Sequence, residues 1–192
     1  MHLPAAARLV LIRHAESVGN AEGIMQGGGE YPLSAAGRTQ ALAAAEDIAA
    51  WPVAWVIGSD LGRAMETARL VTGRLDGVEP RLRERGAGVW EGRRRIEIEQ
   101  LHPGSLEDDA LRPEGFEPES VVVARMRAGC AELLARPGLT LAFTHGAVLR
   151  VLARELGEGG GRFSHLEGLV LGEGFALLGR IGPLGVANGG GG

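Results

Sequence analysis

Three short stretches of unbroken apolar character punctuate the chain: Leu9-Val10-Leu11-Ile12, Val53-Ala54-Trp55-Val56-Ile57 and Leu139-Thr140-Leu141-Ala142-Phe143. None alternates with polar residues, which is the mark of strands covered on both faces, as in a parallel sheet. Between them, apolar positions recur at helical spacing. Ser34 is a suitable N-cap for a helix over Ala35–Trp51, with Leu42, Ala45, Ile48 and Ala49 on one stripe and Pro52 as its stop. Further helices are predicted from Leu61 to Leu75 through Ala64, Ala68, Leu70 and Val71, from Glu119 to Ala135 through Val122, Met126, Cys130 and Leu133, and from Ala147 to Leu156. Arg94–Leu101 reads as a short helix, Pro80–Glu84 as a short extended piece, and Pro103–Pro118 as a loop. Near the end, Leu169–Leu171 and Phe175–Ile181 flank Gly172-Glu173-Gly174 and predict an antiparallel hairpin at the sheet edge. Strands alternating with helices give the α/β class, a three-layer α/β/α sandwich whose central sheet is mostly parallel with an antiparallel edge strand. We expect a single domain over residues 1–187, with an insertion at about 93–118, and a Gly-rich disordered tail at 188–192.

Composition narrows the chemistry. All 20 basic residues are arginine. Without lysine there is no Walker-type phosphate loop and no Schiff-base chemistry. Glycine supplies 32 of the 192 residues, far above ordinary usage, so many tight turns are expected. The formal net charge of −4 and the lack of a long basic run argue against a nucleic-acid partner. Cys130, the single cysteine, allows neither an internal disulfide nor a multi-cysteine metal site. No basic n-region or long apolar run suggests a signal or a span, so no membrane partner and a cytoplasmic location are expected.

The three apolar stretches end in residues that a core would not choose: Arg13-His14, Ser59-Asp60 with Arg63 one turn later, and Thr144-His145-Gly146. Ligands of open α/β sheets bind beyond the carboxyl ends of the strands. Two histidines alone would admit a metal, but two fixed cations beside them repel one. The set suits a phosphoryl group instead. Arginine gives forked, charge-assisted hydrogen bonds to phosphate oxygens, and a neutral imidazole nitrogen can attack phosphorus. We therefore expect no metal and no cofactor.

The blocks Leu11-Ile12-Arg13-His14-Ala15-Glu16-Ser17, Asn20, Gln26-Gly27, Pro32-Leu33-Ser34, Gly37-Arg38-Thr39-Gln40-Ala41, Ser59 to Ala68, Leu82-Arg83-Glu84, Gly88 to Gly92, Glu119-Ser120 and His145-Gly146 occur in this order. Together they resemble the histidine phosphatase superfamily, in its phosphoglycerate mutase-like branch, and most closely its short cofactor-independent phosphatases. The resemblance implies that His14 is the nucleophile that forms a phosphohistidine. It implies that Arg13 and Arg63 clamp the phosphoryl oxygens and that His145, followed by Gly146, stabilises the transferring group. Glu84 would protonate the leaving oxygen and then activate water. Asn20 would touch the phosphate, and Gln26 and Gly27 would belong to the substrate loop. Ala15 stands where the family usually has Gly, which requires backbone torsions that suit an L-residue. Residues 93–118, the expected lid, follow no family signature.

The function expected from this set is hydrolysis of a small organic phosphate, a phosphorylated metabolite being the one partner implied. The alternative is a cofactor-dependent phosphoglycerate mutase, disfavoured by the short connection from Arg63 to Glu84. A non-enzymatic phosphate-binding regulatory module is disfavoured by the complete catalytic set. The exposed edge of the final hairpin could pair with a second copy, giving a homodimer. His2, His102 and His165 read as structural or solvent-facing, Arg93 to Arg95 as a solvated helix start or else a second anionic contact, and Ser17 as a phosphate contact or a helix cap. The lesser reading of Asn20 is a turn cap.

Overall fold

The structure is a computed structural model that describes residues 2–159 and 161–185. The elements run β1 (Leu9–Arg13), α1 (Val18–Ala21), α2 (Ala35–Ile48), β2 (Val53–Gly58), α3 (Gly62–Thr72), β3 (Gly77–Val78), α4 (Arg95–Leu101), α5 (Glu119–Leu134), β4 (Leu139–Thr144), α6 (Gly146–Glu155), β5 (Gly168–Leu171) and β6 (Leu177–Ile181). They build one six-stranded sheet in the order β3-β2-β4-β1-β5-β6. β1, β2, β3 and β4 pair in parallel, β5 lies antiparallel to β1, and β6 antiparallel to β5. The three-layer sandwich is therefore as expected, with the hairpin forming one edge. The glycine-rich tail at 188–192 lies outside the described residues.

The apolar runs of β1 and β4 split their side chains between two cores. Val10, Ile12, Leu141 and Phe143 face one side, with Ala41, Ala44, Ala64 and Ala68 of α2 and α3. Leu9, Leu11 and Ala142 face the other, with Val122, Met126 and Cys130 of α5 and Val148, Leu149 and Leu152 of α6. Each large aliphatic side chain so buried contributes ~1.5–3 kcal/mol relative to exposure. The period-two alternation inside an apolar run is what lets one strand serve both layers.

Several boundaries and one helix face differ from the sequence-based expectation. α2 stops at Ile48, and Trp51 folds back on the core. Its inward face is Gly37, Ala41, Ala44 and Ile48, whereas Leu42 is 57% exposed. Close approach sets this rotation: a Cβ on Gly37 would lie 1.9 Å from the Glu16 carbonyl oxygen, so the glycine must face inward. Residues Pro80–Leu82 form a 3-10 turn in place of an extended piece, capped by the Glu79 carboxylate on the Arg81 N–H at 3.0 Å. β3 has only two residues, too few to leave a pattern. In the hairpin, Phe175 belongs to the turn and β6 begins at Leu177.

The neighbours β1, β4 and β2 all end on the same side, because they are parallel. Chain order reverses here, since β4 inserts between β1 and β2. This is a topological switch point, where the strand ends leave a crevice. Segment 93–118 packs beside it through a small apolar cluster of Ala87, Trp90 and Ile98, with Met25, Leu106 and Phe116 against them.

Candidate active site

The crevice holds His14, one residue past β1, and His145, one residue past β4. Their ring centroids lie 5.1 Å apart, in an edge-on arrangement. His14 is 2% exposed and His145 is fully buried. His14 Nδ1 sits 2.6 Å from the Ala15 carbonyl oxygen. A carbonyl only accepts, so Nδ1 carries the proton and Nε2 holds the lone pair. Burial, then the charges of Arg13 and Arg63, hold the His14 pKa well below its ordinary value. The ring is therefore neutral and its Nε2 is free of a proton. Ala15 is buried and lies outside the left-handed region, so its methyl group is accommodated without strain. Its N–H donates to Thr67 Oγ1 at 3.2 Å.

His145 Nε2 lies 2.7 Å from Ser59 Oγ, which also accepts from the Leu61 N–H at 3.3 Å. The serine hydroxyl can give its proton to Nε2, and in that tautomer Nδ1–H is the outward donor of His145. Burial, then Arg63, depress the His145 pKa as well.

Arg63 enters from the first turn of α3 and is 1% exposed. Its Nη1 and Nη2 donate to the carbonyl oxygens of Gly29 at 2.8 Å and Gly27 at 3.0 Å. Gly27 adopts a φ of +48°, and a Cβ there would strike Glu91 Oε1 at 2.1 Å, so this loop needs glycine. Arg13 donates from Nη1 to the Phe163 carbonyl at 2.6 Å and from Nη2 to His165 Nε2 at 3.1 Å. Three buried nitrogens in this group have no partner: Arg13 Nε, Arg63 Nε and His145 Nδ1. Buried donors are normally satisfied, because each orphan costs about 1–3 kcal/mol. Three of them around one neutral histidine describe a seat for an anion.

Glu84 lines the pocket above this seat together with Arg13, Arg63, Asn20 and Gly146. Its carboxylate accepts from the Arg85 N–H at 2.9 Å and from the Ala147 N–H at 3.4 Å, which sets it over the start of α6. Arg125 of α5 braces the backbone beneath, donating to the carbonyls of Arg81 and Arg83, both at 2.7 Å, and of Glu84 at 3.3 Å. Its other face is locked to Glu117 at 2.7 Å, and Glu117 in turn accepts from the Gly86 N–H at 3.0 Å. Asp60 serves the same loop, forking to Arg83 at 2.7 and 3.0 Å.

Gly146 approaches Arg13 closely: a Cβ there would be 3.1 Å from Arg13 Nε. Asn20 commits Oδ1 to the Ser17 N–H and hydroxyl, leaving its NH2 as the group it can offer an anion. Ser17 is thus a helix cap, with a reciprocal capping box to Asn20. Its hydroxyl also contacts Gln26 Oε1 at 2.9 Å, and Gln26 lines the pocket. Arg13, Asn20, Gln26, Gly27, Arg63, Glu84 and Gly146 line one pocket, and the rings of His14 and His145 meet within reach of the charges of Arg13 and Arg63.

His165 falls on the structural side of its expectation, and closer to the site than the sequence implied: half-buried, its ring lies 6.3 Å from that of His14, and it accepts from Arg13. Burial and then Arg13 push its pKa down to about 4. The signal for it was topological. β5 runs antiparallel to β1 with Gly168 opposite Ile12, so the residues before β5 fall beside the end of β1. Of the Arg93 to Arg95 run, only Arg95 lines the pocket. His102 stacks against Trp90 at 5.8 Å. Among the described residues, no group of three or more His, Cys, Asp or Glu could hold a metal ion, and no helix is long and apolar enough to cross a membrane.

Comparison with known proteins agrees with this geometry. The chain is similar to the glucosyl-3-phosphoglycerate phosphatase of Mycobacterium tuberculosis, 39% identical over 137 residues, covering 68% of this chain and 61% of that protein. It is also similar to the probable phosphoglycerate mutase GpmB of Yersinia enterocolitica, 34% identical over 165 residues, covering 78% of this chain and 74% of the other. Among solved structures, that of a mycobacterial glucosyl-3-phosphoglycerate phosphatase complexed with VO3 superposes with a TM-score of 0.82 at 30% identity, over 93% of this chain and 100% of that one. The family model of the Histidine phosphatase superfamily (branch 1) matches residues 9–168. The chain therefore belongs to the histidine phosphatase superfamily, branch 1.

Proposed function

We propose that the protein is a phosphomonoesterase that works through a phosphohistidine on His14. The observation that carries this reading is the buried, neutral His14, with Nδ1–H held by the Ala15 carbonyl, beside the unpartnered Nε donors of Arg13 and Arg63. In the first step His14 Nε2 attacks phosphorus, the bond to the leaving oxygen breaks, and Glu84 gives that oxygen its proton. In the second step water attacks the phosphohistidine, Glu84 takes the water proton, and the N–P bond breaks to release phosphate. Splitting the transfer in two is ordinary covalent catalysis. Arg13, Arg63 and His145 Nδ1–H meet the charge on the equatorial oxygens, which is the larger part of phosphoryl-transfer catalysis. Asn20, Gln26, Gly27 and Gly146 shape the seat.

The substrate is a small phosphorylated metabolite. A sugar-linked phosphoglycerate is the reading favoured by the likeness to the mycobacterial phosphatase. A mutase that returns the phosphoryl group to a second acceptor is the other reading, favoured by the likeness to GpmB. One set of measurements separates them. Rapidly quenched enzyme should carry phosphate on His14 by mass spectrometry, and His14→Ala should lose turnover by ~10³ or more. With 3-phosphoglycerate and a trace of 2,3-bisphosphoglycerate, phosphate should appear faster than 2-phosphoglycerate. The reverse order makes the protein a mutase, and an active His14→Ala removes the phosphohistidine.

A further inference from the structure

Arg13 is tied twice to the segment that precedes β5. Its backbone N–H donates to the Glu167 carbonyl at 2.8 Å, and the Leu166 N–H donates to the Arg13 carbonyl at 3.1 Å. Its side chain then returns to the same segment, with Nη1 on the Phe163 carbonyl at 2.6 Å and Nη2 on His165 Nε2 at 3.1 Å. A guanidinium only donates, so Nε2 carries the lone pair of a neutral imidazole whose proton is on Nδ1. Both acceptors of Arg13 are therefore uncharged. Arg85, the buried arginine of the Glu84 loop, is instead matched by the carboxylates of Asp109 and Glu119. Two of the five Arg13 donors are used in this way, and Nε, buried and unpartnered, stays on the side of Gly146.

The choice of acceptor matters. A carboxylate in the place of His165 would orient Arg13 but also cancel its charge, in competition with the phosphoryl group. An imidazole orients without cancelling. Burial, then Arg13, push the His165 pKa down to about 4, with Glu16 a weaker influence in the other direction, so the ring stays neutral even with His14 facing it. The segment that presents this acceptor is firmly built. Leu166 is buried with a φ of +60°, a conformation a branched L-residue keeps only where its surroundings impose it. The Ser164 N–H donates to Glu167 Oε2 at 2.6 Å. Arg180 of β6 lays its guanidinium over the Phe163 ring at 3.9 Å and donates to the Arg162 carbonyl at 3.0 Å.

We propose that His165 is a positioning residue for Arg13, a neutral acceptor that fixes the guanidinium and leaves its charge to the phosphoryl group. This rests on the phosphatase reading above. His165 lies outside every sequence block that carries the family resemblance, and it acts through Arg13 rather than on the substrate.

Three substitutions separate orientation from charge. His165→Gln keeps a neutral acceptor, His165→Met removes it at similar size, and His165→Glu replaces it with a charged one. The readouts are inhibition by vanadate, which takes the five-coordinate geometry of the phosphoryl group in transfer, and kcat/KM on 4-nitrophenyl phosphate. In both, His165→Gln should stay within about threefold of the wild type, whereas His165→Met should lose about tenfold or more. His165→Glu should lose as much as His165→Met, because its carboxylate neutralises Arg13. Equal losses in the Gln and Met variants would make the role one of packing and overturn the proposal, as would a Met variant that loses nothing. A Glu variant as active as the wild type overturns it too, since cancelling the charge would then be harmless. The wild-type protein gives a reading that needs no variant to be active. Nitrogen-15 NMR, with His165 assigned from the His165→Gln spectrum, should show Nδ1 protonated and Nε2 bare at neutral pH. A proton on Nε2 excludes the bond from Arg13 and overturns the proposal while leaving the phosphatase standing. If the wild type neither hydrolyses 4-nitrophenyl phosphate nor binds vanadate, the phosphatase reading fails and this role fails with it.

Discussion

At the scale of single residues, the site works by withholding protons and partners. His14 has its proton fixed on Nδ1, and burial keeps a second proton away. Arg13 and Arg63 each spend Nη groups on carbonyl oxygens and keep Nε in reserve. The orientation of both guanidiniums is thus settled before any substrate arrives, which is what preorganised electrostatic catalysis requires. Glu84 differs in being held by backbone N–H groups at the pocket wall, and the proposed mechanism makes it the group that exchanges a proton with the leaving oxygen. Glu84→Gln should therefore lose ~10²–10⁴ in kcat on alkyl phosphates. On 4-nitrophenyl phosphate, whose leaving group needs little protonation, the loss should be much smaller. Equal losses on the two substrates would assign Glu84 a structural role. His165 adds to this: its Nε2 accepts from Arg13 Nη2 and so helps fix the guanidinium in place.

At the scale of elements, helices and turns are used to brace a loop that has no regular structure of its own. Glu84 follows a single 3-10 turn, Pro80–Leu82, and precedes another, Gly88–Trp90. Short turns of this kind hold their shape poorly alone. Arg125, projecting from α5, closes three carbonyls of the loop into one guanidinium, and Glu117 holds that guanidinium from the other side. Arg125 is on this geometry a positioning residue for Glu84. In Arg125→Gln, turnover of alkyl phosphates should drop about tenfold or more while 4-nitrophenyl phosphate is affected less, and Arg125→Lys should recover part of the loss. Adding Arg125→Gln to Glu84→Gln should cost little more than Glu84→Gln alone, since the two act through one group. Full additivity would show that Arg125 does something else. Arg85 makes the corresponding tie for segment 93–118, reaching Asp109 at 2.6 Å and Glu119 at 3.3 Å.

For the molecule as a whole, gathering His14, His145 and His165 at one end of the sheet has a consequence for stability. All three are held neutral, His165 with its pKa pushed down to about 4 from 6.5. The unfolded chain takes up protons on these rings near pH 6.5, and the folded chain resists doing so. Stability is then fully present above about pH 6.5 and is lost as the pH falls toward 4. The urea midpoint should be lower at pH 5 than at pH 7.5, and His165→Gln should reduce that difference. A midpoint independent of pH over this range would contradict the burial of neutral histidines. The same gathering sets the site at the switch point of the sheet, where strand ends converge without any element devoted to the purpose.

The layered architecture was legible because β1, β2 and β4 are buried on both faces and so carry unbroken apolar runs. The inner site was legible because residues that end buried strands in Arg13-His14, Ser59-Asp60 and His145-Gly146 have no place in a core. What the sequence could not decide depends on contacts between distant segments. The rotation of α2 followed from the close approach of Gly37 to Glu16, which no periodicity reveals in a helix rich in alanine. β3 exists only because β2 offers it an edge. His165 joined the site because β5 pairs with β1, and Arg95 and Arg150 share a pocket because segment 93–118 folds back toward α6. Local composition records which residues are buried or reactive; only the packed chain determines which of them meet, because charge repulsion and missing partners act through space and leave no spacing behind in the sequence.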